Sequence, residues 1–249
     1  MIPIKSKEEI KLIAGSSALV AGCLELVGHL LRPGISTVEL DREVDAYIRK
    51  NGAVPAFKGY RGFPANMCVS VNHEVVHGIP GERMINGGDI VSVDIGVLKN
   101  GYYGDSARSF AVGDVHDIGK RLLASAEEAL VKGIEKARPG NRVGAISHAI
   151  QSSVESNGFS VVRALSGHGI GKEMHEEPQI PNYGREGSGA LIKEGMVFAI
   201  EPMVNAGNFE VEILDDGWTV VTRDRSLSAH FEHTVAVLSD GPEVLSCVG

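Results

Sequence analysis

Cysteine is scarce, with only Cys23, Cys68 and Cys247 in 249 residues. An odd, widely spaced set excludes a disulfide framework, offers no pair at thiolate-metal spacing and points to a reducing compartment. Lys and Arg are outnumbered by Asp and Glu, 24 to 32, and no cluster of basic residues falls on one helix face. The formal net charge of −8 therefore argues against a direct nucleic-acid function and favours a metal cation or a small or peptidic substrate. A local basic patch, and with it docking onto a ribosome, stays open. The N-terminus, Met-Ile-Pro-Ile-Lys-Ser-Lys-Glu-Glu, lacks the apolar run of a secretory signal and is too acidic for a transit peptide. No segment elsewhere is expected to span a bilayer, so a soluble cytoplasmic protein with no membrane partner is expected. There is also no linker by composition, and 43% hydrophobic residues suffice for one sizeable core, so residues 1–249 are expected to form a single domain.

What is present is organised around residues 91–109. Val91, Val93, Ile95 and Val97 alternate with Ser92, Asp94 and Gly96, the period of a two-faced strand. Asn100-Gly101 supplies the two positive-φ residues of a type I′ turn. A two-residue turn puts Gly96 opposite Asp105, which makes Asp94 and Asp105 diagonal neighbours on one face. Such a pair must share a proton, bind a cation or face open solvent.

Ser6 with Glu9, and Ser36 with Glu39, are capping-box patterns that open two helices, the first with an apolar stripe of Ile10, Ile13, Ala14, Ala21, Leu24 and Leu31. Phe57, Tyr60 and Phe63 lie among Pro55, Gly59, Gly62 and Pro64 in a loop that either plugs the core or lines a ligand pocket. A strand over 67–71 and a turn carrying His77 precede the hairpin. The second half repeats this order: helices over 117–138 and 141–157, a strand over 160–165, a Gly/His loop, and strands over 197–200, 210–214, 219–222 and 231–238. Residues 165–190 are the longest stretch without a strand or helix pattern and read as a functional loop. The repeat is one of arrangement and predicts a pseudo-twofold α+β fold, a curved, mostly antiparallel sheet covered on one side by two helix pairs.

His168 lies between glycines in Ser-Gly-His-Gly-Ile-Gly, Glu201 ends the apolar run Phe-Ala-Ile-Glu-Pro, and Glu232 sits in a strand that otherwise reads as buried. If Asp94, Asp105, His168, Glu201 and Glu232 converge, four carboxylates and one imidazole need countercharge, and two divalent ions are the natural source. Oxygen-rich ligation with one His favours Mn, Fe(II), Co or Zn. Two such ions about 3.5–4 Å apart acidify a bridging water, which implies hydrolysis.

The Asp-to-Asp spacing, the Gly-His-Gly loop, the Ile-Glu-Pro strand end and Phe-Glu-His-Thr at 231–234 together resemble the methionine aminopeptidases of the pita-bread fold, in their short type I form. The resemblance runs from Ile4 to the C-terminus and includes Asp-Gly-Trp-Thr at 216–219 and Asp-Arg-Ser-Leu-Ser-Ala at 224–229. It implies a dinuclear metalloexopeptidase that removes methionine from the N-termini of nascent peptides with a small second residue, with the five residues above as metal ligands. Asp105 and Glu232 would touch both ions, His175 would donate to the scissile carbonyl, His77 would hold the next peptide group, and Glu201 would also shuttle protons. Tyr60, Phe63, Cys68 and Trp218 would line the methionine pocket. Phe57, where Cys is frequent, and Met174, where an aromatic is frequent, depart from bacterial members and bear on pocket shape. A monomer is expected.

Three other readings stand beside this one. An X-Pro peptidase on the same fold typically carries a further N-terminal domain, for which this chain has no room. A non-catalytic scaffold that has lost its metals would have replaced a ligand or His175. A purely structural cation site leaves His77 and His175 without a role.

Overall fold

Two capping boxes start the chain. The Ser6 side chain accepts the Glu9 amide while the Ser6 amide donates to the Glu9 carboxylate, and Ser36 and Glu39 repeat the exchange. They head α1 (Lys7–Leu30) and α2 (Thr37–Lys50) in this computed structural model, which describes residues 2–247. The first half continues with β1 (Val54–Pro55), β2 (Cys68–Val71), β3 (Glu74–Val76), β4 (Ile90–Lys99) and β5 (Tyr102–Ala111). The second half has α3 (Asp117–Glu135), α4 (Val143–Ser156), β6 (Ser160–Val161), β7 (Ser166–Gly169), β8 (Glu176–Pro181), β9 (Val197–Ile200) and β10 (Met203–Asn205). It ends with β11 (Val211–Ile213), β12 (Val220–Thr222), β13 (Ser228–His230), β14 (His233–Leu238) and β15 (Gly241–Val244).

Among the described residues the strand pairs are antiparallel and fall into four ladders: β1-β4-β2 with β5 on β4, β13-β10-β6, β11-β12-β3, and β15-β14-β9-β7-β8. Pairing of β3 with β12 ties the two halves together. One apolar cluster joins α1 and α2 to β2 and β4 through Val20, Val27, Leu40, Ile48, Val69 and Val93. A second joins α3 and α4 to β9 and β14 through Leu122, Ile146, Ile150, Phe198, Ile200 and Val235. This is the two-helix-pair arrangement that the repeated order of elements predicts.

The β4–β5 hairpin forms as read. Asn100 and Gly101 have φ of 52° and 80°, and Gly96 is the partner of Asp105. Val91, Val93, Ile95 and Val97 pack toward the first helix pair, which leaves the Asp94/Asp105 face for the interior between the halves.

Several expectations need correction. Helix α1, at 24 residues, is long and apolar enough to cross a bilayer, so the reading that no segment has that character fails. Its apolarity serves the fold, because Ile13, Val20, Val27 and the small residues Ser16 and Ser17 bury one face against the hairpin. Residues 165–190 are no irregular loop, since they contain β7 and β8; glycine and proline there mark tight strand packing rather than a lack of strands. The strand expected over 160–165 shrinks to Ser160–Val161, the third helix ends three residues early, the fourth starts two residues late and ends one early, and β14 begins only at His233. Phe231 and Glu232 leave the ladder because their amides are drawn to the carbonyls of Pro202 and Ala107.

Helix α1 lies so close to β5 that a Cβ on Gly104 would stand 2.5 Å from the Ser17 backbone nitrogen. The three nearest atoms, Ser17 N, Ser16 C and Ser17 Cα, are all backbone and cannot rotate away. Gly104→Ala is expected to lower the unfolding free energy by about 1–3 kcal/mol, read as a lower urea midpoint at unchanged slope; an unchanged midpoint would mean that α1 shifts freely.

Candidate active site

The acidic face of the hairpin meets the ends of three other strands. His168 sits on β7 and is paired opposite Ala199, not on a loop as expected. The flanking glycines make that possible: a Cβ on Gly167 would lie 2.4 Å from the Ala199 carbonyl oxygen, and one on Gly169 2.3 Å from that of Glu177. The His168 Nδ1–H donates to the Gly169 carbonyl at 2.9 Å, which leaves Nε2 as the free, electron-pair-bearing nitrogen. Glu201 follows β9, its carbonyl held by Asn182. Glu232 stands just ahead of β14 rather than within it, its carbonyl accepting from the Ser106 hydroxyl at 2.5 Å. Thr234 closes the stitch by exchanging two hydrogen bonds with the Asp105 backbone.

Asp105, His168 and Glu232 each present a ligand atom within 4.8 Å of the others. Glu201 Oε1 is 3.6 Å from His168 Nε2, and Asp94 is the diagonal neighbour of Asp105. One oxygen each of Asp94, Asp105 and Glu232 is buried without a hydrogen-bond partner. A cluster of orphaned carboxylate oxygens around a free imidazole nitrogen suits a divalent cation.

Electrostatics express the same strain. Burial pushes Asp94 up to about 7, tempered by the neighbouring Asp105. Burial, then Glu232 and Asp94, hold Asp105 well above the usual carboxylate range; burial with the other acids does the same for Glu201 and Glu232. The histidines move the other way. Burial lowers His77 and His168, and burial with His168, Arg61 and His77 nearby lowers His175 to about 3. Cys68 stays a thiol, since burial and the adjacent carboxylates raise it well above its ordinary value.

A cavity of about 190 Å³ opens from these acids into an apolar chamber, and all eleven site residues named from the sequence line it: Tyr60, Phe63, Cys68, His77, Asp94, Asp105, His168, His175, Glu201, Trp218 and Glu232. Phe57 and Met174 line it too, within a cluster that includes Phe63 and Cys68. The aromatic loop is therefore pocket wall. Asp41 of α2 pins it by accepting from the Asn66 and Met67 amides at 2.8 and 3.1 Å. His77 has φ of 60°, in the left-handed region, and is followed by Gly78, where a Cβ would meet the Val69 carbonyl oxygen at 2.2 Å. A non-glycine residue held so persists only where the surrounding structure fixes it. Asp41 and His230, whose Nε2 lies 3.7 Å from Glu201 Oε2, were not evident in the sequence. His230 belongs to the same segment as Glu232, but its own spacing carries no signal.

The profile of metallopeptidase family M24 matches residues 11–239. The chain belongs to metallopeptidase family M24. It is similar to the methionine aminopeptidase of Clostridium perfringens, 51% identical with full coverage of both chains, and to methionine aminopeptidase 1 of Bacillus subtilis, likewise 51% identical with full coverage of both. Among solved structures it resembles the methionine aminopeptidase of Thermotoga maritima at a TM-score of 0.98 and 45% identity, covering 99% of this chain and 100% of that one. Its likeness to the prolidase of Pyrococcus furiosus, at a TM-score of 0.81 and 25% identity, covers 99% of this chain but 66% of that one. The architecture is accordingly the pita-bread fold of M24, and membership of that family implies divalent metal ions, for which the orphaned carboxylates provide a suitable site.

In the metal-free state the raised carboxyls hold protons that a cation must displace, whereas the depressed His168 has none to give up. Titrating Mn²⁺ into chelator-treated protein near neutral pH is expected to release protons, so the apparent calorimetric enthalpy will vary with buffer ionisation enthalpy in the sense of release. Raising the pH through about 7 removes the competing proton on Asp94 and is expected to tighten binding. Binding without proton release would show that the carboxyls are already ionised.

Proposed function

We propose that the chain is a methionine aminopeptidase, which hydrolyses the first peptide bond of nascent polypeptides that begin with methionine and have a small second residue. The observation that carries this reading is the continuity of the acid cluster with an aromatic-walled apolar chamber in one cavity. An unbranched thioether side chain fits a soft wall of Tyr60, Phe63, Cys68 and Trp218, where Phe63 and Trp218 meet edge to face at 5.1 Å. The scissile amide then lies over the acids. The preference for a small second residue is carried by the family resemblance.

Asp94, Asp105, His168, Glu201 and Glu232 would hold two divalent ions of Mn, Fe(II), Co or Zn; four carboxylates with one imidazole support the count. When bound, the ions supply positive charge that acidifies water and polarises the scissile carbonyl. His175 is neutral at physiological pH, and its Nδ1 lies 2.8 Å from the Tyr60 hydroxyl. If that hydroxyl donates to Nδ1, the proton of the imidazole sits on Nε2, ready to donate to the carbonyl oxygen as negative charge develops. His77, also neutral and edge-on to Trp218 at 6.4 Å, would hold the next peptide group and assist the leaving amine. Glu201, raised by burial and by Asp94 and Asp105, is suited to accept a proton and pass it to that amine.

The reading places the protein in the cytoplasm as a monomer, consistent with three free cysteines, and leaves docking onto a ribosome open. Identity of 51% to methionine aminopeptidases, against 25% to the prolidase, makes an X-Pro peptidase the weaker choice.

The deciding measurement is release of free methionine from Met-Ala-Ser by chelator-treated protein with and without added Mn²⁺. Metal-dependent release is expected; no release with Mn, Co, Fe(II) or Zn, from protein shown to be folded, overturns the reading. His175→Ala is expected to lower turnover about 10²-fold, as for loss of one oxyanion donor, with metal content unchanged. Near-normal turnover would remove His175 from the chemistry.

A further inference from the structure

His230 closes β13 directly behind the acid cluster, and its backbone is fixed from both sides by one residue. Its amide donates to the Ser109 hydroxyl oxygen at 2.8 Å, and its carbonyl accepts from the same hydroxyl at 2.9 Å. Ser109 is itself 2.7 Å from the Ser92 hydroxyl on β4. The ring is 2% exposed, and its Nε2 has no hydrogen-bond partner. A buried polar nitrogen without a partner is costly and calls for one.

The nearest acid is Glu201, whose Oε2 lies 3.7 Å from His230 Nε2, a few tenths of an ångström beyond hydrogen-bond reach. The other oxygen, Oε1, is 3.6 Å from His168 Nε2. The carboxylate therefore stands between two imidazole nitrogens that are not equivalent. His168 has used Nδ1–H on the Gly169 carbonyl, so its Nε2 presents an electron pair. The other imidazole nitrogen beside Glu201, Nε2 of His230, is able to donate to it.

We infer that His230 is a positioning residue for Glu201: its Nε2–H donates to Oε2 and holds the carboxylate with Oε1 turned toward the metal centre. Outer hydrogen bonds of this kind orient ligating carboxylates, and their loss typically weakens metal binding about 10–100-fold. The inference rests on the reading of Glu201 as a ligand.

The experiment compares His230→Phe, which keeps the ring's shape without a donor, with His230→Gln, which restores an N–H donor. Mn²⁺ affinity is measured by calorimetry, and kcat and KM are measured on Met-Ala-Ser. His230→Phe is expected to weaken Mn²⁺ binding about 10–100-fold and to lower kcat with KM little changed, while His230→Gln recovers most of both. Unchanged affinity and kcat in His230→Phe overturn the inference, as do equal losses in both variants, which would mark a role in packing alone. Should His230→Phe fail to fold, the zinc-loaded wild type decides: ¹⁵N-histidine spectra, with His230 assigned by its loss in His230→Gln, are expected to show a protonated Nε2. A bare Nε2 overturns the inference. Glu201→Gln separates the two levels, because wild-type-like Mn²⁺ affinity in that variant removes Glu201 as a ligand, whereas lost affinity there with wild-type-like His230→Phe removes only His230.

Discussion

Four acid side chains share one interior with no basic partner among them. Of the Lys and Arg side chains among the described residues, only Arg61 lines the cavity, and it lies over the Tyr60 ring at the mouth. Burying carboxylates without countercharge is among the more expensive arrangements available to a fold. Here the cost is spread by protonation in the metal-free chain and is relieved by divalent ions in the loaded one. The surrounding structure resists any easier solution. Thr234, Ser106 and Ser109 lock the hairpin to the 230–234 segment by hydroxyl–backbone bonds, so the acids cannot swing apart. A scaffold that holds like charges together is already organised for the ions that will pair with them.

The apolar chamber depends on the same hairpin. Phe57 packs so tightly on Gly96 of β4 that a Cβ there would lie 2.5 Å from the ring, and Gly96 is the ladder partner of Asp105. The loop that carries Phe57, Tyr60 and Phe63 is tied to α2 by Asp41, so the side-chain pocket and the acids are placed by one rigid unit and keep a fixed relation to each other. Phe57 and Met174 both belong to this wall, buried with Phe63 and Cys68.

How much of this was legible in the sequence follows from the range of each signal. The Asn-Gly turn sets register locally, so the diagonal relation of Asp94 and Asp105 could be worked out before any coordinates. Capping boxes are equally local. What escaped depends on distant partners. Glycine ordinarily interrupts strands, so His168 reads as a loop residue, yet Gly167 and Gly169 are there to let β9 and β8 approach. Glu232 was placed within a strand because its neighbours are apolar, yet the Ala107 carbonyl draws its amide out of the ladder. Asp41 and His230 are single polar residues whose importance lies wholly in what the fold brings to them. The apolar stripe of α1 is legible in the sequence, but its close approach through Ser16 and Ser17 to Gly104 is not, because it depends on a partner more than eighty residues away.

The histidines complete the physical picture. Beside so many acids an imidazole would ordinarily be expected to charge, yet burial depresses His77 and His168, and burial with the nearby His168, Arg61 and His77 depresses His175, while the protons remain on the carboxyls. In the proposed reaction this division matters, because the two groups have different tasks. A protonated His168 has no electron pair for a metal, and a charged His175 would stabilise the substrate carbonyl before reaction as well as after attack. Neutral imidazoles leave one nitrogen to bind and another to donate as charge develops. Protons stored on carboxyls are the ones that cations displace, so loading the proposed site would ionise its carboxyls and leave the histidines as they were.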